Sequence, residues 1–229
     1  KDFSLEDKYK KGFSVTELFS IYNSGIKTDR DPLFIDEDSA QLKERMAMLL
    51  SGELSATFRD TYRVKDSVSY KITERIRNNK MNDTLIVSES FRPFDDKWIY
   101  YDPALISRPA HSVMQHMMHD NICLSVSRQC QRDWRYVFCS DRLSDVNFIA
   151  SAGLLGSGYI FPLYLYQDMM GNVEKVPNFD KEMFGKLAKG MKCTPKPEEL
   201  FDYIYAVLHT PEYCEKYKEF LKVDFPRIP

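Results

Sequence analysis

The sequence predicts an α+β protein in which a mixed sheet carries flanking helices and a C-terminal helical pair. Three observations lead there. The central third holds short runs rich in β-branched and aromatic residues, both ends show apolar residues at helical spacing, and the pattern never settles into a regular β-α alternation. With 229 residues, 43% of them hydrophobic and 14% aromatic, the chain has material for a large buried core. We expect one unit over residues 1–229: a mainly helical part (1–85), a sheet-rich centre (86–170) and a mainly helical end (171–229). No internal repeat or Gly/Ser linker divides it.

Near the start, Thr16-Glu17-Leu18-Phe19 opens a short apolar stretch, and residues 23–32 (NSGIKTDRDP) form a polar loop with turn residues at both ends. Leu42, Met46 and Leu49 recur at helical spacing between Asp38 and Leu50, and a second amphipathic helix is expected from Val64 to Asn78. The window 58–80 is the most basic, with seven bases (Arg59, Arg63, Lys65, Lys71, Arg75, Arg77, Lys80) against three acids (Asp60, Asp66, Glu74). Its ordinary reading is a solvated helix face.

From Leu85 the pattern turns to strands: Leu85–Val87, Trp98–Tyr101, Ile122–Val126, Tyr136–Cys139 and Tyr159–Tyr166. Arg108-Pro109 followed by Val113, Met114, Met117 and Met118 predicts one helix, with Pro109 in its first turn. At the end, Leu200, Phe201, Ile204 and Leu208 mark the buried face of one helix, and Tyr213, Tyr217, Phe220 and Leu221 that of a second, capped by Thr210. Residues 224–229 (DFPRIP) must be extended because two prolines forbid a helix.

Charge and motif content exclude several functions. A formal net charge of −2 offers no global field toward nucleic acid or membrane, so any nucleic-acid contact rests on a local patch. Five cysteines without a CxxC pair fit reduced thiols and a cytoplasmic setting. No apolar run reaches the roughly 20 residues of a membrane span, and the start carries no signal peptide; it also lacks Met, as a fragment would. The chain has no GxxxxGK[ST] loop, and residues 153–158 (GLLGSG) lack the glycine spacing of a dinucleotide loop. An adenine methyltransferase would carry an Asn-Pro-Pro-aromatic tetrapeptide, yet no Pro-Pro occurs. His116 and His119 stand at a spacing able to grip a metal, but no cysteine or carboxylate completes the set. The one Glu-x-Lys triplet, Glu6 to Lys8, reads as solvated surface; Cys139, flanked by Val137 and Phe138, reads as a buried thiol rather than a nucleophile. We therefore assign no catalytic residue, metal or cofactor to this chain.

Binding signals are stronger. Residues 125–135 (SVSRQCQRDWR) place three arginines, two glutamines and a tryptophan between two β-runs. Arginine can bond guanine O6 and N7 together, and glutamine adenine N6 and N7, so this composition suits major-groove readout. The alternative is that Arg128 and Arg135 pair with acids such as Asp133 and Asp141. Residues 91–101 (FRPFDDKWIYY) form a turn running into a strand, with the aromatics read as core and Arg92 tied to Asp95 and Asp96.

Read in order, several of these motifs resemble the C-terminal specificity domain of Type ISP restriction-modification enzymes and related large methyltransferase-helicase proteins. The carriers are Gly25 to Asp31, Phe91 to Pro103, Arg108-Pro109 with Val113-Met114 and His116, Ser125 to Gln129, Phe161 to Tyr166, Val176 to Phe179, and Phe201 to His209 running into Phe225 to Pro229. Phe91 stands where tyrosine is usual, which removes one hydroxyl and leaves the turn intact. The resemblance implies a DNA target-recognition module with double-stranded DNA as its partner. Methyl transfer from S-adenosylmethionine, ATP hydrolysis and Mg-dependent cleavage would then belong to methyltransferase and helicase-like modules of the same polypeptide. Candidate DNA contacts, chosen by loop position and chemistry, are Lys27, Thr28, Arg30, Arg92, Arg128, Gln129, Arg132 and Arg135. Two other readings stay open: a fragment completing a methyltransferase or nuclease site, and a scaffold that docks one module on another.

Overall fold

The computed structural model describes residues 3–130, 134, 136–149, 158–169 and 171–229. Helix α1 (Phe3–Lys11) leads into short alternating pieces: β1 (Phe13–Ser14), α2 (Val15–Leu18), β2 (Asn23–Ser24), α3 (Asp31–Phe34) and β3 (Ile35–Asp36). Helices α4 (Ser39–Ser51), α5 (Ala56–Thr61) and α6 (Ile72–Arg77) precede a hairpin of β4 (Ile86–Arg92) and β5 (Asp95–Tyr100). Then come α7 (His111–Met117), β6 (Cys123–Ser127), β7 (Val137–Ser140), β8 (Leu143–Ser144), β9 (Gly158–Pro162), β10 (Tyr164–Met169) and β11 (Asn172–Pro177). Helices α8 (Lys181–Met191), α9 (Pro197–His209) and α10 (Pro211–Leu221), with strand β12 (Arg227–Ile228), complete an α+β fold.

Local chemistry sets the helix ends. Asp38 caps α4 by accepting from the Ala40 N–H at 2.8 Å, and Gly52 closes it in the left-handed region. Ser14 and Glu17 form a reciprocal capping box on α2. Thr210 occupies the cap position of α10, but its hydroxyl donates back to the Ala206 carbonyl instead of capping. The extended 224–229 segment is tied down by β12, which pairs antiparallel with β1.

One four-stranded sheet runs β3-β5-β4-β8, and another, in the order β2-β9-β6-β7, separates two apolar cores. Alternation of side chains along the strands explains the separation. Cys123 and Ile160 join the first core with Phe34, Met46, Tyr100 and Met114. Leu124, Val126 and Phe161 join the second, where Leu18, Phe201, Ile204 and Leu208 also pack. Strand β6 is thus buried on both faces, which gives its two ends a fixed position.

Further expectations change, among them the single strand expected over Tyr159–Tyr166, which is β9 and β10 in separate sheets. The helix predicted from Val64 to Asn78 is only Ile72–Arg77, because Arg63 takes a positive φ of 54° and the Asp66 carboxylate accepts from both the N–H and the hydroxyl of Thr73. Pro109 precedes α7 rather than entering its first turn, and its carbonyl accepts from the Tyr101 hydroxyl. Cys139 is exposed, since β7 is an edge strand of its sheet, while Cys123 and Cys130 are buried. Helices α1 and α8 and strand β11 carried no signal that we read in the sequence. Among the described residues no helix is long and apolar enough to cross a membrane.

Candidate nucleic-acid interface

Strand register places the candidate loops together. Tyr159 of β9 pairs with both Ser24 of β2 and Val126 of β6, and Val126 in turn pairs with Val137 of β7. Strands β2 and β6 therefore run out at the same end of the sheet where β7 and β9 begin. The loop from Gly25, the connection from Arg128 to Tyr136 and the segment leading into Gly158 all attach there.

The first loop is built on a close approach. A Cβ at Gly25 would lie 2.4 Å from the Asp145 carbonyl oxygen, so only glycine lets the two segments touch. Ile26 then exchanges backbone bonds with the 144–146 segment, and Lys27 with Arg108. Lys27 is half-buried and pairs with Asp29 at 2.9 Å. Thr28 is fully buried; its hydroxyl donates to Asp31 and accepts from the Arg30 N–H. It shapes the loop and has no surface to offer DNA, which corrects its place among the contacts. Arg30 is largely spent as well. It donates to the carbonyls of Arg63 and Lys65, and both its guanidinium and that of Arg75 lie 4.6 Å from the Tyr70 ring centre.

Arg92 belongs to the same neighbourhood by a long-range contact. Its partner is not Asp95 or Asp96 but the buried Asp145, at 2.7 Å, while its guanidinium lies 3.8 Å from the centre of the Phe91 ring. Burial raises the Asp145 pKa, and the Asn147 N–H and Arg92 oppose that rise. Next to it Glu89 is 0% exposed, and neither carboxyl oxygen has a hydrogen-bond partner among the described residues. Burial, reinforced by the charges of Asp145 and Asp31, pushes the Glu89 pKa well above the usual carboxylate range.

In the second loop Arg128 and Gln129 are exposed. Arg128 pairs with Asp224 at 3.0 Å, across 96 positions, while Asp133 lies outside the described residues. Trp134, counted among the readout side chains in the sequence, is buried, with its indole N–H directed to the Ser127 carbonyl at 3.4 Å. Arg132 and Arg135 lie outside the described residues. Sequence position placed this loop between two strands, β6 and β7, but not which of its side chains turn inward.

The basic window lies beside the first loop through the Arg30 contacts. Lys65, Lys71, Arg77 and Lys80 are exposed, and none makes an ion pair among the described residues. A pocket of about 220 Å³ lined by Lys27, Arg30, Arg63, Asp145 and Asn147 joins this face to the Arg92 cluster. His116 is buried, with Nδ1 accepting from the Tyr166 N–H at 3.1 Å, and burial lowers its pKa. His119 lies past the end of α7 and stacks on the Tyr166 ring at 4.3 Å. These two histidines are engaged with one strand rather than with each other.

Sheet termini that present loops with exposed arginine and amide side chains and a half-buried lysine, beside a partly unpaired basic face, define a recognition module of α+β build. Residues 17–229 match the family described as the Type ISP C-terminal specificity domain, and the chain belongs to that family. No curated protein matches it. Solved structures do. The ATP-dependent Type ISP restriction-modification enzyme LlaBIII bound to DNA superimposes with a TM-score of 0.74 at 22% identity, covering 96% of this chain and 15% of that one. The cryoEM structure of the DrdV–DNA complex gives 0.70 at 22%, covering 92% and 21%. A nuclease-deletion mutant of the Type ISP enzyme LlaGI with a DNA substrate mimic gives 0.67 at 20%, covering 97% and 21%. The chain thus spans between 15% and 21% of the length of these relatives, and the likeness establishes its fold.

Proposed function

We propose that this specificity domain reads the base sequence of double-stranded DNA and sets the register of a larger restriction-modification polypeptide on it. The observation that carries the proposal is the convergence of the Lys27 loop and the Arg128–Gln129 loop at one end of a doubly buried strand. Base readout needs side chains held to a fixed geometry, and a buried strand supplies that. The exposed Arg128–Asp224 pair is of the kind worth about 0–1 kcal/mol, so a guanine edge can displace Asp224 at little cost. That the three neighbours are DNA complexes supports the same reading.

The whole chain acts in this reading as a single recognition unit without catalysis of its own, in the cytoplasm. N6-adenine methylation with S-adenosylmethionine, and cleavage with ATP and Mg, are assigned to methyltransferase and helicase-like modules elsewhere in the polypeptide. The test is methylation by the intact polypeptide on a library of single-base variants of its site, with Arg128, Gln129, Arg132 and Arg135 changed singly to Ala. A residue bonded to a base edge should lose about 1–3 kcal/mol and relax preference at one position. Unchanged preference in all four variants places the readout elsewhere.

A further inference from the structure

The tip of the β4–β5 hairpin carries a feature that the fold does not explain. Arg92 pairs with Asp95 across a two-residue turn, so Pro93 and Phe94 are its central residues. Phe94 adopts a φ of 64°, the left-handed conformation that glycine or asparagine normally takes at that position. It is also 98% exposed. The chain therefore holds an aromatic ring in water on a backbone position where a bulky side chain is strained, and stability gains from neither choice.

The ring is well supported. Pro93 fixes the preceding φ, and Arg92 is anchored by Asp145 below the turn. Phe138 meets Phe94 edge-on at 6.1 Å and lies 5.7 Å from Phe148, so an aromatic path leads down into the molecule. Arg92 at the base of the turn pairs with Asp145, which lines the pocket with Lys27, Arg30 and Arg63, so the tip stands beside the proposed DNA surface.

Resting on that reading, we propose that Phe94 is a wedge that inserts into the base stack of the bound duplex, partly unstacking one step. Charges around the tip are mostly paired with each other: Arg142 with Asp96 and Asp141, Lys97 with Asp95 and Glu37, and Arg92 with Asp145. With the three bases Arg92, Lys97 and Arg142 set against the five acids Glu37, Asp95, Asp96, Asp141 and Asp145, the rim has no net positive charge to draw a phosphate, which leaves the bases as the target. The apolar surface at the tip is small, Phe94 with only the half-buried Phe138 beside it, which is less than the patch a protein partner needs, whereas a single aromatic fills a gap between two base pairs.

The experiment uses the intact polypeptide carrying this chain. Duplexes of random sequence are selected on the wild type, and the recovered site is scanned with 2-aminopurine. The wild type should raise fluorescence at one step. Phe94→Ala should abolish that rise and weaken binding about tenfold, as the loss of one stacked ring does. Phe94→Trp should retain both, and Phe94→Gly, which relieves the backbone, should melt no lower than wild type while losing the signal. Fluorescence and affinity unchanged in Phe94→Ala overturn the wedge alone. Weakened binding without any wild-type fluorescence rise, together with a newly protease-sensitive junction in Phe94→Ala, overturns it in favour of docking on a neighbouring module. Failure of the wild type to enrich any duplex overturns the DNA reading itself, and the wedge with it.

Discussion

Glu89 shows how a single side chain can link this site to pH. Its folded pKa is raised, so the stability it contributes is fully present below the usual carboxylate range and is lost as pH rises toward the folded value. Glu89→Gln keeps the shape and removes the ionisation. Denaturant titrations from mildly acidic to mildly alkaline pH should show a flatter stability profile for the variant, with its advantage growing as pH rises; parallel profiles would show that Glu89 finds a compensating partner. Gly25 makes a steric prediction at the same scale. A methyl group there meets the Asp145 and Ser144 carbonyl oxygens at 2.4 and 2.7 Å, and backbone cannot rotate aside. Gly25→Ala should cost about 1–3 kcal/mol, read by thermal unfolding. Neither effect follows from the residue's neighbours in sequence, since Asp145 lies more than fifty positions from both.

Among the elements, the α9–α10 pair is the support beneath the second face of the central sheet. Leu208 is 2% exposed there and packs with Phe201, Ile204 and Tyr213 in the second core. Leu208→Ala should cost roughly 2–5 kcal/mol in equilibrium unfolding; a drop of only a few tenths would mean that this face is not a core. The 3.6-residue spacing made both helices legible in the sequence, because an amphipathic helix at a surface must repeat its apolar residues. Helix α8 escaped notice although Met183, Phe184 and Leu187 recur at helical spacing and pack against the second core; they are only partly buried. Strand β11 escaped because it pairs only with β10 and its residues are largely exposed.

At the scale of the whole molecule, charge is distributed rather than accumulated. A formal net charge of −2 coexists with a face on which Lys65, Lys71, Arg77 and Lys80 stand without ion pairs among the described residues. If this face follows the DNA backbone, changing the four to Ala should weaken binding to every duplex alike and reduce the magnitude of the salt slope by about 0.9 for each phosphate that is no longer neutralised. An unchanged slope would return the face to plain solvent. The signature differs from that of Arg128, whose replacement should alter preference at one base pair.

The sequence alone determined that the chain is α+β, that its longer strands begin near Leu85, that its two last helices pack by one face, and that it belongs with Type ISP specificity domains. Each depends on local periodicity or on motif order, both of which are written along the chain. Tertiary structure decided which loop residues turn outward: Thr28 and Trp134 went inside, Arg30 was absorbed by the carbonyls of Arg63 and Lys65, and Arg92 found Asp145. The aromatic-rich turn at Phe91 to Tyr101 divided in the same way, with Tyr100 and Tyr101 buried and Phe94 left in water. The reason is physical. Composition states what a side chain is able to bond, but whether it faces solvent depends on what the rest of the fold brings against it, and those partners lie dozens of positions away.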